Sequence, residues 1–173
     1  MSQNMSIAGV FLNAVLEGIH EKYEMTSEKL LAHLYQSPAF ADSQRDLLRL
    51  ALDSYLSGIH APAIHLFVPQ IEAAIRNLLE LTGGAILKSS RSGGFQLNTL
   101  DELLRSREIV AAFGEDIAFY LRALLTDQRG WNIRNDVCHG ISSPEHMNKG
   151  VADRLFHVLL LLAMLRKKED SGV

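Results

Sequence analysis

The sequence predicts an all-α fold, a helical bundle interrupted by one Gly/Ser-rich loop or small hairpin. Apolar residues recur at three- and four-residue spacing along most of the chain, which is the helical period. Ser, Thr, Asp, Gly and Pro residues mark the points where these segments begin and end. With 173 residues, of which 47% are hydrophobic, the chain can bury one substantial core. We therefore expect a single helical domain over residues 1–173, with N-terminal helices in 1–40 and the bundle core in 42–168.

Three helices are predicted before residue 60. Residues 7–23 carry an apolar stripe at helical spacing, which predicts a helix. Its members are Val10, Phe11, Ala14, Val15 and Ile19. Thr26 is placed to cap a second, short helix, because a threonine hydroxyl accepts from backbone N–H groups of the first turn. A third helix is expected to begin at Asp42 or Ser43 and to end at Gly58.

A long helix is predicted over residues 61–81, with Pro62 tolerated in its first turn. Pro69 lies deeper in this helix and is expected to kink it, because proline lacks a backbone donor and crowds the preceding turn. Glu72 and Arg76 are four residues apart, which predicts an ion pair on the helix surface.

Residues 83–98 form the one irregular region, rich in glycine and serine. Its apolar flanks, Ile86-Leu87 and Phe95–Leu97, are able to pair as a short hairpin. A phosphate-binding role is disfavoured, because the glycine spacing matches neither a P-loop nor a dinucleotide fingerprint. A surface loop is the expected structure.

The remaining chain returns to helical periodicity. Asn98 or Thr99 is placed to cap a short helix. Glu115 and Asp116 begin another helix, where carboxylates complement the positive end of the helix dipole; this explains them better than a catalytic pair would. The last long helix is predicted over residues 151–168.

Composition limits the function classes. A net charge of −3 excludes a polybasic nucleic-acid binder, so any nucleic-acid site must be a local patch. The single cysteine cannot form an internal disulfide, and no His/Cys spacing suits zinc. The start lacks a signal peptide's basic region, and the apolar run 155–165 is about half the length that spans a bilayer. We expect a cytoplasmic protein with no membrane segment, no metal and no cofactor.

The segment Arg134–Gly140 carries the most distinctive chemistry. Arginine offers a rigid fork of donors for phosphate, and histidine transfers protons near neutral pH. Gly140 suits the left-handed position just past a helix end, which would place His139 at the C-cap and let it turn toward Arg134. Asn135 shares a helix face with His139. Val137 is the expected core anchor, and Cys138 is expected to be a small buried hydrophobe.

Arg134, Asn135 and His139 resemble, position by position, the signature of the HEPN superfamily of small helical-bundle domains. In that signature an arginine, usually followed by a polar residue, precedes a histidine by a few positions. Residues 47–166 are also similar to an uncharacterised bacterial subgroup of these proteins. The segments that carry this similarity are Ala63–Leu66, Glu72, Arg76, Gly114–Asp116 and Arg134–Gly140. The resemblance implies a HEPN-like bundle with its core in residues 42–168.

The resemblance further implies a metal-independent endoribonuclease of toxin–antitoxin or abortive-infection type. Such proteins commonly form homodimers whose motif helices face each other across one composite site. His139 would act as general acid or base, and Arg134 would stabilise the phosphorane. Asn135 would orient His139 or the phosphate. Possible partners are RNA, a second copy, an antitoxin and further domains of a longer protein. The alternative is a non-catalytic HEPN-fold module for RNA binding or dimerisation.

Charge and the last helix bear on these two alternatives. Five basic and seven acidic residues lie between Asp101 and Gly140, which favours the non-catalytic module because RNA affinity draws on phosphate neutralisation. Arg129 and Arg154 are the cations expected to bind RNA near the motif. The apolar run 155–162 requires cover on several sides, either by a dimer partner or by the core. His157 within it is expected to be a hydrogen-bonded buried or interface histidine.

Overall fold

The structure, a computed structural model, describes residues 2–91 and 93–166. In this part of the chain it contains nine α-helices and one two-stranded hairpin, so the all-α prediction is confirmed. The elements are α1 (Ser2–Tyr23), α2 (Ser27–Leu34), α3 (Arg45–Leu56), α4 (His60–Leu81), β1 (Leu87–Ser89), β2 (Phe95–Leu97), α5 (Leu100–Leu104), α6 (Arg107–Phe113), α7 (Glu115–Leu125), α8 (Ile133–Cys138) and α9 (Lys149–Ala163). Short 3-10 turns cover Asp42–Gln44 and Pro144–His146.

Helix α4 lies at the centre of the bundle, with α3 and α9 packed along it and α5, α6 and α8 also in contact with it. Its inward side chains include Phe67, Ile71 and Ile75, which are fully buried. It starts at His60, one residue before the predicted boundary, and continues through Pro69 without interruption. Because α4 contacts several other elements, its residues can lie next to α8, the helix that carries Arg134 and ends at His139.

The apolar run of α9 is covered by the core of the single chain. Leu155, Phe156, Leu159 and Leu162 are all buried, and the run packs against α4 and α2. Of the two predicted explanations for this run, burial in the core is therefore the one that the structure shows. Helix α9 begins at Lys149, two residues before the predicted start, and ends at Ala163. The predicted end at residue 168 lies outside the described residues.

Helix α1 contacts the core through a face other than its apolar stripe. Phe11 is 72% exposed, and Ala14, Val15 and Ile19 are exposed as well, whereas Leu16 is only 4% exposed. Leu12 and Leu16, one helical turn apart, form the contact with the core, and Glu17 pairs with Lys149 of α9 at 3.2 Å. The described members of the apolar stripe are therefore exposed, because Leu12 and Leu16 make the contact with the core.

The helix starts follow the capping rules at several places. The Thr26 hydroxyl accepts from the Lys29 N–H at 3.3 Å at the start of α2, as predicted. Thr99 and Glu102 form a capping box at the start of α5. Helix α3 departs from the prediction: a 3-10 turn occupies Asp42–Gln44, and the α-helix begins only at Arg45 without a side-chain cap. Helix α6 was not predicted as a separate element.

The predicted hairpin is present. Strands β1 and β2 pair antiparallel in the register Leu87↔Leu97, Lys88↔Gln96 and Ser89↔Phe95. At its base the Asn98 amide donates to the Ala85 carbonyl at 2.8 Å. The hairpin contacts α5 through an ion pair between Lys88 and Glu102.

The connection between α7 and α8 sets the position of the motif. The Trp131 N–H donates to the Ala123 carbonyl at 2.9 Å, which holds the connection tightly against α7. A Cβ atom at Gly130 would overlap that same carbonyl, so only glycine fits there. Asn132 then adopts a left-handed conformation (φ 50°), and α8 begins at the next residue. Within residues 2–91 and 93–166, no helix has both the length and the apolar character needed to cross a membrane.

Candidate functional site

Helix α8 is short and is anchored by two side chains. Ile133 and Val137, four residues apart, are both buried, and the helix packs against α4 and α7. The prediction that Val137 is the core anchor is confirmed. Because this pair fixes which face of α8 points inward, Arg134 and Asn135 lie at the partly buried flank, and Cys138 and His139 lie on the exposed end.

Arg134 is held by a carboxylate from α4. Its Nε donates to Glu72 Oε2 at 2.9 Å, and its Nη1 donates to Asn135 Oδ1 at 3.2 Å. Among the described residues, its Nη2 group has no hydrogen-bond partner. Burial tends to lower the pKa of Arg134, but the bond to Glu72 and its charge outweigh this and raise that pKa. The guanidinium is therefore a fixed cation with one of its two terminal nitrogens available to a ligand.

Glu72 bridges two arginines. Its other oxygen, Oε1, accepts from Arg76 Nη2 at 3.0 Å, so the predicted Glu72–Arg76 pair is confirmed. It is more than a helix-surface pair, because the Glu72 side chain is only 18% exposed and is shared with Arg134 on α8. Sequence reasoning missed the contact between Glu72 and Arg134, since 62 residues separate them and only the crossing of α4 and α8 joins them.

The bridge extends to the base of the hairpin. Both terminal nitrogens of Arg76 lie 3.3 Å from the carbonyl oxygen of Asn98, the residue whose amide closes the hairpin. A continuous line of polar contacts thus runs from Asn98 through Arg76 and Glu72 to Arg134. The hairpin and the motif helix are joined by charged hydrogen bonds, which are stronger than neutral ones.

The Asn135 side chain supports Arg134 and, among the described residues, makes no hydrogen bond to the His139 imidazole. Its Oδ1 accepts from Arg134, and its Nδ2 donates to Asn132 Oδ1 at 2.7 Å. The expected orientation of His139 by the Asn135 side chain is thus not what the structure shows. The reason is that Asn132 has a left-handed conformation, so its side chain folds back over the first turn of α8. There its Oδ1 accepts the hydrogen bond from Asn135 Nδ2.

His139 occupies the C-cap of α8, as predicted, and its backbone N–H donates to the Asn135 carbonyl at 2.9 Å. Gly140 follows in the predicted left-handed conformation (φ 67°). The imidazole is exposed, and in the described part of the chain it makes no hydrogen bond to Arg134 or to any other group. Within the described residues of a single chain, no hydrogen bond therefore joins the Arg134 and His139 side chains.

Cys138 is exposed, so the expectation that it is buried is wrong. Successive residues of a helix are about 100° apart, and Val137 already takes the inward position. Cys138 is consequently turned away from the core.

The two cations expected to bind RNA have different environments. Arg129 is exposed, but its Nε and Nη2 donate to Asp127 at 3.1 and 2.8 Å, and this pairing lowers the pKa of Asp127 to about 2. Arg154 is only 5% exposed, and its guanidinium lies 5.7 Å from the centre of the Trp131 ring. The expectation of a surface patch that includes Arg154 is wrong, because the buried side of α9 carries this residue inward.

His157 is partly buried and hydrogen-bonded, as predicted. Its Nδ1 lies 3.2 Å from the Tyr120 hydroxyl. Burial lowers the pKa of His157, and the nearby charge of Arg154 lowers it further. The imidazole is a neutral structural group at pH 7, set apart from the exposed His139.

A cleft of about 640 Å³ lies beside α8, between this helix and the start of α9. Its lining combines apolar and polar side chains, among them Trp131, Asp136, Val137, Ile141, His146 and Met147. Asp136 Oδ1 accepts from the Asn132 amide at 2.9 Å. Sequence reasoning missed this cleft; the only available signal was the chain's single tryptophan, three residues before Arg134.

A buried carboxylate lies near a second, smaller cavity of about 300 Å³, which Tyr55, His60 and Lys149 help to line. The Tyr55 hydroxyl donates to Asp153 Oδ1 at 2.7 Å, and Lys149 pairs with Asp153 Oδ2 at 2.8 Å. Burial and the bond to Asp153 raise the pKa of Tyr55. These contacts compensate the charge of a fully buried aspartate, so their role is structural.

The described residues contain no group of three or more His, Cys, Asp or Glu side chains placed to hold a metal ion. A scan against protein-family models finds no match to this chain, and searches of the curated proteins and of the solved structures find no significant match either.

Proposed function

We propose that the chain is a metal-independent endoribonuclease of HEPN type, related to toxins or defence systems and active in the cytoplasm as a homodimer. The observation that carries the proposal is that α8 presents two groups at once. One is Arg134, whose guanidinium is oriented by Glu72 and Asn135, and the other is the exposed His139, whose imidazole has no hydrogen-bond partner among the described residues. Both groups suit a phosphodiester substrate.

Arg134 would bind the scissile phosphate. Glu72 and Asn135 engage its Nε and Nη1 and leave Nη2 to donate to a phosphoryl oxygen. A donor fixed in advance stabilises developing negative charge without reorganising during the reaction, and one such donor contributes about 3–4 kcal/mol. Glu72 thus acts as a positioning residue.

His139 would transfer the protons. The 2′-oxygen of RNA attacks the adjacent phosphorus while one imidazole accepts the 2′-hydroxyl proton. The bond from phosphorus to the 5′-oxygen breaks, and the 5′-oxygen takes a proton from a second, protonated imidazole. The products are a 2′,3′-cyclic phosphate and a 5′-hydroxyl. Each protomer supplies one His139, which is why the proposal requires two copies of α8 at one site.

A second candidate is a non-catalytic module of the same type that binds RNA or dimerises. The environment of the cations favours it: Glu72 already compensates Arg134, Asp127 already pairs with Arg129, and Arg154 is buried. This reduces the positive charge available to a polyanion.

The deciding experiment incubates the purified protein with single-stranded RNA in excess EDTA. The parent is compared with His139→Ala and with the control variant His33→Ala, which removes another exposed histidine from the last turn of a helix. We expect cleavage by the parent and the control, and a loss of at least about 100-fold in His139→Ala. Light scattering on the same samples checks that all three have the same oligomeric state.

Equal cleavage by the parent and His139→Ala would reject the proposed mechanism. Absence of cleavage by all three, with RNA retained in a binding assay, would favour the non-catalytic module. A monomer that cleaves RNA would contradict the composite site. A co-purified antitoxin would be removed by denaturation and refolding before the assay.

A further inference from the structure

We propose that the cleft beside α8 binds a nucleobase of the RNA, with Trp131 as its stacking surface and Asp136 as the acceptor for the base's amino group. The inference deepens the proposed ribonuclease function and rests on it for the identity of the substrate. The cleft supplies the base recognition that Arg134 and His139, which address phosphate and protons, do not.

The size and lining of the cleft suit a flat, partly polar molecule. Its volume of about 640 Å³ lies within the range of small-molecule sites, which are about 300–1,000 Å³. Val137, Ile141 and Met147 provide apolar contacts, whereas Asp136 and His146 provide polar ones. A nucleobase has both an apolar face and hydrogen-bonding edges, and extrahelical bases are bound by stacking and edge contacts of this kind.

Trp131 is rigid in advance of binding. Its backbone is held by the hydrogen bond from its backbone N–H to the Ala123 carbonyl of α7, and its ring is held by the guanidinium of Arg154, which lies over it. An aromatic ring that is already fixed loses little freedom when a base stacks on it, so more of the stacking energy contributes to affinity. The buried Arg154 thereby acquires a role consistent with RNA binding, as support for the tryptophan instead of as a phosphate contact.

Asp136 gives the cleft a preference among bases. Asn132 holds its Oδ1, which orients the carboxylate. An ionised carboxylate only accepts hydrogen bonds, and it has about four lone-pair sites over its two oxygens, so it can accept from a base as well as from Asn132. Guanine presents a ring N–H and an amino group side by side, whereas uracil has no amino group. The geometry therefore favours guanine over uracil.

The position of the cleft connects base and phosphate recognition. Asp136 and Val137 line the cleft, and Arg134 and His139 lie on the same helix two and three residues from Asp136. At about 100° per residue, Asp136 and His139 lie about 60° apart around the helix and so share one side of α8, whereas Arg134 lies about 160° from Asp136. A base bound in the cleft would therefore place its own or the neighbouring phosphate near His139.

The test uses the chain's single tryptophan, Trp131, as the probe. GMP and UMP are titrated separately into the protein, and fluorescence excited at the red edge of tryptophan absorption is corrected against free N-acetyltryptophanamide. The indole N–H resonance of Trp131 in a nitrogen–proton correlation spectrum provides a second readout. We expect a saturable change with GMP at lower concentration than with UMP.

Asp136→Asn should weaken GMP binding about 10-fold and leave UMP binding within about 2-fold, because a neutral amide is a poorer acceptor for two donors. The control Asp116→Asn removes an exposed carboxylate from the start of α7 and should change neither affinity. Circular dichroism checks that both variants remain folded.

Base binding and catalysis fail separately in this design. His139→Ala should bind GMP as the parent does, because His139 does not line the cleft. If RNA is cleaved but neither nucleotide perturbs Trp131, the cleft proposal is wrong and the ribonuclease proposal stands. If GMP binds but no RNA is cleaved, the nucleobase site stands without the catalytic function. Equal GMP affinity in Asp136→Asn and the parent would overturn the assigned role of Asp136.

Discussion

Replacing Glu72 by glutamine tests the bridge between α4 and α8. The carboxylate accepts from Arg76 at 3.0 Å and from Arg134 at 2.9 Å, and all three side chains are at most 25% exposed. Glutamine keeps the size and one acceptor but removes the charge, and its NH₂ group must then face one of the two guanidiniums. The variant therefore loses one charge-assisted bond and leaves two nearby cations uncompensated.

The expected cost is about 1.5–3 kcal/mol, the range for a hydrogen bond to a charged group. A complete loss of a fully buried pair would cost about 3–5 kcal/mol, but here the side chains retain some contact with water. For a chain of this size, 1 kcal/mol lowers the melting temperature by about 2–4 °C. We therefore expect Glu72→Gln to melt about 3–12 °C below the parent.

The matched control is Glu28→Gln, which removes one partner of the Glu28–Arg49 pair. That pair is longer, at 3.4 Å, and its side chains are 67% and 43% exposed. An exposed pair contributes about 0–1 kcal/mol, so the control should melt within about 4 °C of the parent. Urea titrations followed by circular dichroism provide free energies of unfolding for both variants.

A double-mutant cycle with Arg134→Met isolates the contact across the two helices. We expect a coupling energy of about 1–2 kcal/mol between positions 72 and 134, within the range for residues in one network. A coupling below about 0.3 kcal/mol, or a Glu72→Gln variant as stable as the control, would refute the view that this carboxylate holds Arg134 in place.

Two further predictions concern the bundle itself. The lowered pKa of His157 means that the folded state binds a proton at this imidazole less readily than the unfolded state, so the free energy of unfolding is highest above about pH 6.5 and falls as the pH drops below it. The urea midpoint should therefore decrease between pH 7.5 and pH 5.5, and this decrease should be smaller in His157→Gln. An equal decrease in the parent and the variant would contradict the assignment. Tyr55→Phe removes the hydroxyl that donates to the fully buried Asp153 but keeps the ring stacked on Phe156, so the free energy of unfolding at pH 7 should fall by about 1.5–3 kcal/mol. An unchanged free energy of unfolding would show that Lys149 and other contacts are enough to stabilise the charge of Asp153.

Local sequence signals predicted much of the fold because they act over a few residues. Thr26, Gly140 and the apolar flanks of the hairpin are each recognised from their immediate neighbours, and the structure confirms them. The apolar stripe of α1 predicted a helix but not which of its faces is buried, because apolar residues lie on several sides of this helix. In that case the partner, not the pattern, decides which face is buried, and the partner is α9, more than a hundred residues later in the chain.

The candidate site was predictable in part. The end of α8 at His139 follows from Gly140, a local signal. The partners of Arg134 and Asn135 do not, since Glu72 comes from a distant helix and Asn132 acts through a left-handed backbone that nothing in its spacing indicates. The burial of Arg154 was equally hidden, because a charged residue in an otherwise apolar helix is normally assigned to the surface.

The glycine before Trp131 has a consequence for how this protein can vary over time. Gly18 of α1 has open space around its missing side chain, so mutation there meets no steric barrier. A Cβ atom at position 130 would lie 1.9 Å from the Ala123 carbonyl oxygen, so every mutation that adds a side chain there forces the backbone of α7 or of the connection to α8 to shift. A lineage of this protein can therefore accept a side chain at position 18 directly, but it can accept one at position 130 only after the backbone around Ala123 has changed first.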